Sequence, residues 1–349
     1  MVEEYRLSER KKKILDAVIT SSNKSDEPIS SKLIQEKFMP ETSSATIRNE
    51  LMSLEEMGYL YQPHASAGRV PTPEGYRYYI DNIMNITKLS KKDTEDIKVV
   101  FKEKLTDIEK IVQQTAKVIS DKTNYASFAY MGVFEDASID VIRIVKLSDD
   151  MAFVVVKTDV GLIKDISLKD LGDVSEEQLM ASSKYLTNIF AGKNISELHD
   201  YTDKINLEFE NYRILFDMIV EVVEKRNKNI EKRMAIEGTS NLFDYHEFED
   251  MAKARNALSI IGQKETLLPL LADGNNLEVT IKVGNSKDTE LKDCSLVTAT
   301  YKINGKKVGT AGVVGPVRMD YKKVVEVLNT VTKTLNENLT NESNENKNK

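Results

Sequence analysis

The sequence predicts an α+β multidomain protein, and three observations predict it. Five of the seven prolines lie in the first 73 residues and the next is Pro269. A short, punctuated N-terminal segment therefore gives way to long uninterrupted elements, with a boundary near residue 85. Apolar residues recur at spacings of three and four over 8–56 and 88–122, but alternate over 139–168. Strand-like stretches at 139–168 and 279–315 flank a helical stretch at 175–235, the order of an α/β domain interrupted by a helical insertion.

The elements follow in order. A first helix starts at Ser8 as N-cap and carries Ile14, Leu15, Val18 and Ile19 on one face. A second follows Pro28, with Ser30 as cap and Ile29 and Ile34 placed as a hydrophobic staple; Pro40 closes it. A third begins at Ser43 or Ser44, buries Ile47, Leu51 and Leu54, and ends at Gly58. Tyr59-Leu60-Tyr61 is a strand, followed by the Gly/Pro-bounded loop 62–73. Three such helices and a strand pair make residues 1–85 a winged helix-turn-helix. Residues 86–122 read as one long linker helix, too long to bury its stripe on a small domain. VIRIVKL, AFVVVK and LIKDISL form a three-strand meander within 123–172. The segment 173–235 is helical, with a stripe through Phe209, Tyr212, Leu215, Phe216, Ile219, Val222 and Val223. Strands return at 279–283 and 295–303, Asn304-Gly305 marks a hairpin turn, and a last helix presents Val324, Leu328, Val331 and Leu335. The final stretch, 336–349, has six asparagines and no aromatic, the composition of a disordered tail.

Several function classes are excluded or disfavoured. No apolar run approaches the ~18–20 residues of a membrane span. MVEEYRLSERKKK has no apolar core of a signal peptide, so a cytoplasmic setting is expected. One cysteine, Cys294, forbids an intramolecular disulfide and a Cys-based zinc cluster. His64, His199 and His246 lie far apart without metal-ligand spacing, and GTAGVVG (309–315) lacks the Lys-Ser/Thr of a P-loop. No cofactor, metal or catalytic residue is called for. Cys294 acting as a hydrolase nucleophile remains a minor reading beside that of a small buried apolar group.

A winged helix-turn-helix places its third helix in the major groove, N-terminal residues foremost. With Ile47, Leu51 and Leu54 inward, Ala45, Asn49 and Met52 face outward, flanked by Thr46 and Arg48. Arg48 and Asn49 are the base-reading candidates, since Arg pairs two acceptors on guanine and Asn pairs donor and acceptor on adenine. Ser43, Ser44 and Thr46 at the helix start suit phosphate. Arg69, between Gly68 and Pro71, is expected at the wing tip, reaching a minor groove or phosphate. Against this stands the charge: −7 overall, and 11 basic against 13 acidic residues in 1–85. The acids Glu55, Glu56 and Glu74 lie late in the third helix or beyond the wing, and Lys11, Lys12 and Lys13 supply a basic edge. A protein-docking module, or a ligand sensor without DNA affinity, stays open on pattern alone.

The stretch SSATIRNELMSLEEMGYLYQPHASAGRVPTPEGYRYYID (43–81) closely resembles the signature of the bacterial heat-inducible transcription repressors, the HrcA family. The resemblance extends to PISSKLI, NLFDYHEF (241–248), LKDCSLVTATY and GVVGPVRMDY. It implies a homodimeric repressor of heat-shock chaperone operons that binds double-stranded DNA at an inverted-repeat operator of the CIRCE type. It implies a GAF-like domain over 123–172 and 236–335, with 173–235 as an inserted dimerising domain. It carries the DNA-binding role to Ser44, Thr46, Arg48 and Asn49, and to His64, Ser66, Gly68 and Arg69 in the wing. A GroEL-type chaperonin is the implied partner that maintains the active form, and heat relieves repression by diverting it.

Overall fold

The computed structural model describes residues 7–86, 88–101, 108–131, 138–159, 161–169, 174–194, 234–263, 267, 279–284, 291, 294–303 and 306–345. Each of the first three helices starts where a serine can cap it. In α1 (Glu9–Ser22) the Ser8 hydroxyl accepts from the Lys11 amide at 3.3 Å. In α2 (Ser31–Lys37) Ser30 accepts from Leu33 at 3.2 Å, and in α3 (Ser44–Glu56) Ser43 accepts from Thr46 at 3.1 Å. Each bond satisfies an amide the helix cannot, contributing about 1 kcal/mol. The end of α3 is set by Gly58 at φ +81°. That turn lets the amides of Gly58 and Tyr59 return to the carbonyls of Glu55 and Leu54, closing the last turn. Ile47, Leu51 and Leu54 are buried in one cluster with Ile14, Leu15, Val18, Ile19, Ile29 and Ile34.

Two-residue strands β1 (Leu60–Tyr61) and β2 (Val70–Pro71) pair antiparallel, and Ile29 bridges Arg69 alongside them. A further helix, α4 (Pro73–Asn82), was not anticipated. Thr72 caps it, accepting from the Gly75 amide at 3.0 Å, and Pro73 occupies its first turn, where a missing N–H costs nothing.

Asp16 on α1 sits in this unit with its carboxyl raised above the ordinary carboxylate range. Burial is the main cause, opposed by the Thr20 hydroxyl and the charge of Lys322. A carboxyl whose folded pKa lies above its unfolded one favours folding only while protonated. At neutral pH the ionised group therefore costs stability. Asp16→Asn is expected to raise the melting temperature at pH 7, with the gain vanishing as pH falls below the raised pKa; paired thermal melts at pH 7 and in acid measure this.

The segment 86–122 is not one helix. α5 (Lys91–Val100) ends at Phe101, and α6 (Ile108–Thr123) returns beside it, so that Lys122 Nζ reaches Asp93 at 2.9 Å and Asp96 at 2.7 Å. Along a single rod those partners would stand some 40 Å apart at ~1.5 Å per residue. The stripe closes on its own chain and on the last helix rather than bridging domains.

The body is a five-stranded antiparallel sheet, β7-β3-β10-β9-β8, from β3 (Ala126–Met131), β7 (Met234–Glu237), β8 (Val279–Val283), β9 (Cys294–Ile303) and β10 (Lys306–Pro316). Alternation along its strands supplies two buried faces. Ala129, Val297, Tyr301, Ala311 and Val313 join the cluster of α6 and the C-terminal helix α9 (Tyr321–Glu345). Phe128, Cys294, Leu296 and Val314 meet α8 (Met251–Gly262) and the 3₁₀ turns Thr239–Asp244 and His246–Phe248.

The meander β4 (Ile139–Ser148), β5 (Met151–Thr158) and β6 (Gly161–Lys169) forms its own three-stranded sheet. It does not share a sheet with β3, as the assignment of 123–172 to one domain expects. Helix α7 (Glu176–Phe190) lies on it: the Thr187 hydroxyl accepts from the Ile142 amide at 2.9 Å and donates to its carbonyl at 3.0 Å, and Ser183 accepts from the Ile144 amide. The helix thus satisfies the free edge of β4, which would otherwise template strand pairing. The separate unit therefore includes 139–169, and a boundary at 173 cuts it in two. The stripe at 209–223 and the Asn304-Gly305 turn lie outside the described residues, although Ile303 pairs with Lys306 across that turn.

The expected disordered tail is helical up to Glu345. Asn336 Oδ1 accepts from the Lys302 amide at 2.6 Å, Asn338 Nδ2 donates to the Phe101 carbonyl at 2.8 Å, and Leu339 packs on the core. Fixed polar partners on neighbouring elements replace the apolar burial that the composition lacks.

Candidate nucleic-acid interface

On α3 the buried stripe turns Ala45, Arg48, Asn49 and Met52 outward, all exposed. Among the described residues neither the Arg48 nor the Asn49 side chain has a hydrogen bond or ion pair, so both are available. Two of the three acids on the same helix are committed elsewhere. Glu50 is paired with Lys11 at 2.8 Å and Arg10 at 3.7 Å. Glu55, seven residues beyond Arg48 and so on its side of the helix, is paired with Arg69 at 2.7 Å. The charge of Glu55 is thus withdrawn from the outward face, whereas Glu56, seven residues beyond Asn49, is exposed there and has no ion pair among the described residues.

That pairing corrects the position of Arg69. Its side chain is only 12% exposed and its backbone exchanges two 2.9 Å bonds with Ile29. It sits at the base of the 62–69 loop, not at the tip. The exposed tip is Pro63, His64, Ala65 and Ser66, and Gln62 Nε2 braces it by donating to the carbonyls of Ala65 and Ala67 at 3.0 and 2.8 Å. Gly68 lies against the Ile29 backbone: a Cβ there would stand 2.3 Å from the Ile29 carbonyl oxygen. Its glycine is explained by packing.

The hydroxyls at the start of α3 are partly engaged. Ser43 contacts Thr46 at 2.8 Å, and Ser44 contacts Ser31 at 2.9 Å, tying the N-termini of α2 and α3 together. Lys11 and Lys12 are held by Glu50 and Glu9, so the expected basic edge is weaker than its sequence suggests. Of the nine candidates, Ser43, Ser44, Thr46, Arg48 and Asn49 share one helix end, His64 and Ser66 the loop tip, and Gly68 and Arg69 its base. Ser31 and Gln62 support them without a signal in the sequence, and Glu55, at seven-residue spacing from Arg48, supports them as the partner of Arg69. Cys294 is fully buried beneath α8, closed to a substrate. Among the described residues no group of side chains could hold a metal ion, and no helix is long and apolar enough to cross a membrane.

Comparison with known proteins places this mixed α+β architecture among transcription repressors. A relative from Symbiobacterium thermophilum is 34% identical over 335 residues, covering 95% of this chain and 98% of its own. Another from Pelotomaculum thermopropionicum is 32% identical, covering 95% and 97%, and one from Clostridioides difficile is 33% identical, covering 95% and 99%. All three are named heat-inducible transcription repressor HrcA. The family model "HrcA protein C terminal domain" matches residues 109–325. The chain belongs to the HrcA family. A crystal structure described as a hypothetical protein shares the fold, at TM-score 0.62 and 23% identity, covering 96% of this chain and 99% of that one.

Proposed function

We propose that this protein is a heat-inducible transcription repressor that acts without catalysis. It binds as a homodimer to an inverted-repeat operator of the CIRCE type, upstream of chaperone operons. Residues 7–86 are its winged helix-turn-helix, α3 the recognition helix and the 62–69 loop the wing. The five-stranded sheet and its helices are the GAF-like domain, and the β4–β6 sheet with α7 belongs to the inserted, dimerising unit. Arg48 and Asn49 read bases; Ser43, Ser44 and Thr46, with His64 and Ser66 of the wing, meet the backbone; Gly68 and Arg69 hold the wing. A GroEL-type chaperonin maintains the binding state and heat withdraws it, as the family resemblance implies.

The observation that carries this reading is the exposed Arg48–Asn49 pair, uncommitted at its side chains, on a helix where Glu50 and Glu55 are neutralised internally. Full-length relatives named as repressors support it. Fluorescence anisotropy with an inverted repeat from a chaperone promoter tests it. The repeat is expected to bind at least about 10³-fold tighter than scrambled DNA of the same length, with log affinity falling linearly against log salt. Equal affinity for both duplexes overturns it.

A further inference from the structure

Three segments far apart in sequence meet where the N-terminal unit rests on the body. Arg318, from GVVGPVRMDY, is 19% exposed and forks onto Glu247 of NLFDYHEF, with Nε at 2.9 Å and a terminal nitrogen at 3.4 Å. Its other terminal nitrogen donates to the Ser22 carbonyl at 3.1 Å and pairs with Asp26, just beyond α1. On α4, Arg77 donates to the Val283 carbonyl at 2.8 Å, and the Tyr76 ring packs on Tyr321 at 5.8 Å. The Tyr76 hydroxyl is buried there without a hydrogen-bond partner. Closing this seam therefore costs a desolvated hydroxyl, and directed bonds from the two arginines fix its geometry beside the apolar Tyr76–Tyr321 contact.

We infer that Arg318, oriented by Glu247 and seconded by Arg77, is a positioning residue that locks the DNA-reading unit at a fixed angle on the body. The inference rests on the DNA-binding reading above. A planar guanidinium held by a carboxylate on one side has its remaining donors aimed in one direction. Here that direction is the end of α1, the helix against which α3 packs. A dimer with both heads locked can reach two half-sites only when they share one rotational phase on the duplex. Freed heads would take other orientations on the body and tolerate other phases.

The test compares the full-length protein with Arg318→Gln and with the double variant Asp26→Ala/Arg77→Ala on three duplexes: the inverted repeat, the repeat with about five base pairs (half a turn) added to its spacer, and a single half-site. The parent is expected to lose about 10²-fold or more on the mis-phased repeat, the size of a lost bivalent contact. Both variants are expected to lose less than about 10-fold there, with half-site affinity unchanged. A merely structural role would lower half-site binding and leave the phase penalty in place. The double variant settles the case if Arg318→Gln misfolds, since the Asp26 and Arg77 side chains are 62% and 34% exposed. Variants that keep the full penalty, or a parent that has none, overturn the lock while the DNA reading stands. A parent with no preference for the inverted repeat overturns the DNA reading itself.

Discussion

Arg48→Ala is expected to weaken binding to the inverted repeat by about 1–3 kcal/mol per half-site, hence about 2–6 kcal/mol for a dimer using both heads. The loss should fall on specificity as well as affinity. Alanine cannot tell guanine from other bases, so one symmetric position in the repeat becomes degenerate. Arg48→Lys keeps the charge but not the two-pronged donor geometry, and should recover non-specific affinity without restoring base choice. Binding isotherms against a panel of single-base operator variants measure both effects. Thermal stability should not change, because the Arg48 side chain is exposed and makes no bond within the described residues. If Arg48 instead meets a phosphate, the loss is uniform across the panel and the salt slope drops by about one per head. The outcome matters more here than in a basic DNA-binding domain. With 11 basic against 13 acidic residues in 1–85, no broad positive field compensates for a missing contact.

The elements that sequence reading recovered were those whose information is local. Caps at Ser8, Ser30 and Ser43, the stripe Ile47-Leu51-Leu54 and the stop at Gly58 are decided within a few residues, and all appear as expected. Helix α4 had equally local signals in Thr72 and Pro73, which the aromatic run after them obscured. The hairpin of α5 and α6 had none: its stripe keeps helical spacing through Phe101, and only the meeting of Lys122 with Asp93 and Asp96 reveals the turn. Alternation over 139–168 identified strands but not their sheet, because pairing partners are chosen by tertiary contacts such as Thr187 on Ile142. In the C-terminal helix the stripe Leu328, Val331 and Leu335 continues to Leu339, a signal outweighed by the asparagines around it. For the site, the helical wheel sufficed to expose Arg48 and Asn49. It could not orient Arg69, since a loop bounded by Gly68 and Pro71 leaves the side chain's direction to its partner, Glu55.

Gly68→Ala carries the largest expected effect on folding and separates a structural glycine from a DNA-contacting one. A methyl at this position would stand 2.3 Å from the Ile29 carbonyl oxygen, 2.4 Å from its carbon and 2.7 Å from the Pro28 oxygen. All three are backbone atoms, so no side chain can rotate away. The chain must instead separate from Ile29, where Arg69 exchanges two 2.9 Å bonds. Strain of this kind costs about 1–3 kcal/mol, occasionally more, and each backbone bond lost adds about 0.5–1.5 kcal/mol. Urea unfolding of the N-terminal unit should show that loss, whereas Gly262→Ala, with nothing within 4 Å of the new methyl, should be neutral or stabilising. Because Arg69 moves with its strand, Glu55 would lose its partner on the Arg48 side of α3. Affinity should then fall equally for every base variant of the operator, in contrast to Arg48→Ala. A Gly68→Ala protein of parental stability that has nonetheless lost operator binding would mean that the Gly68 backbone lies against DNA, and that its contact with Ile29 is incidental.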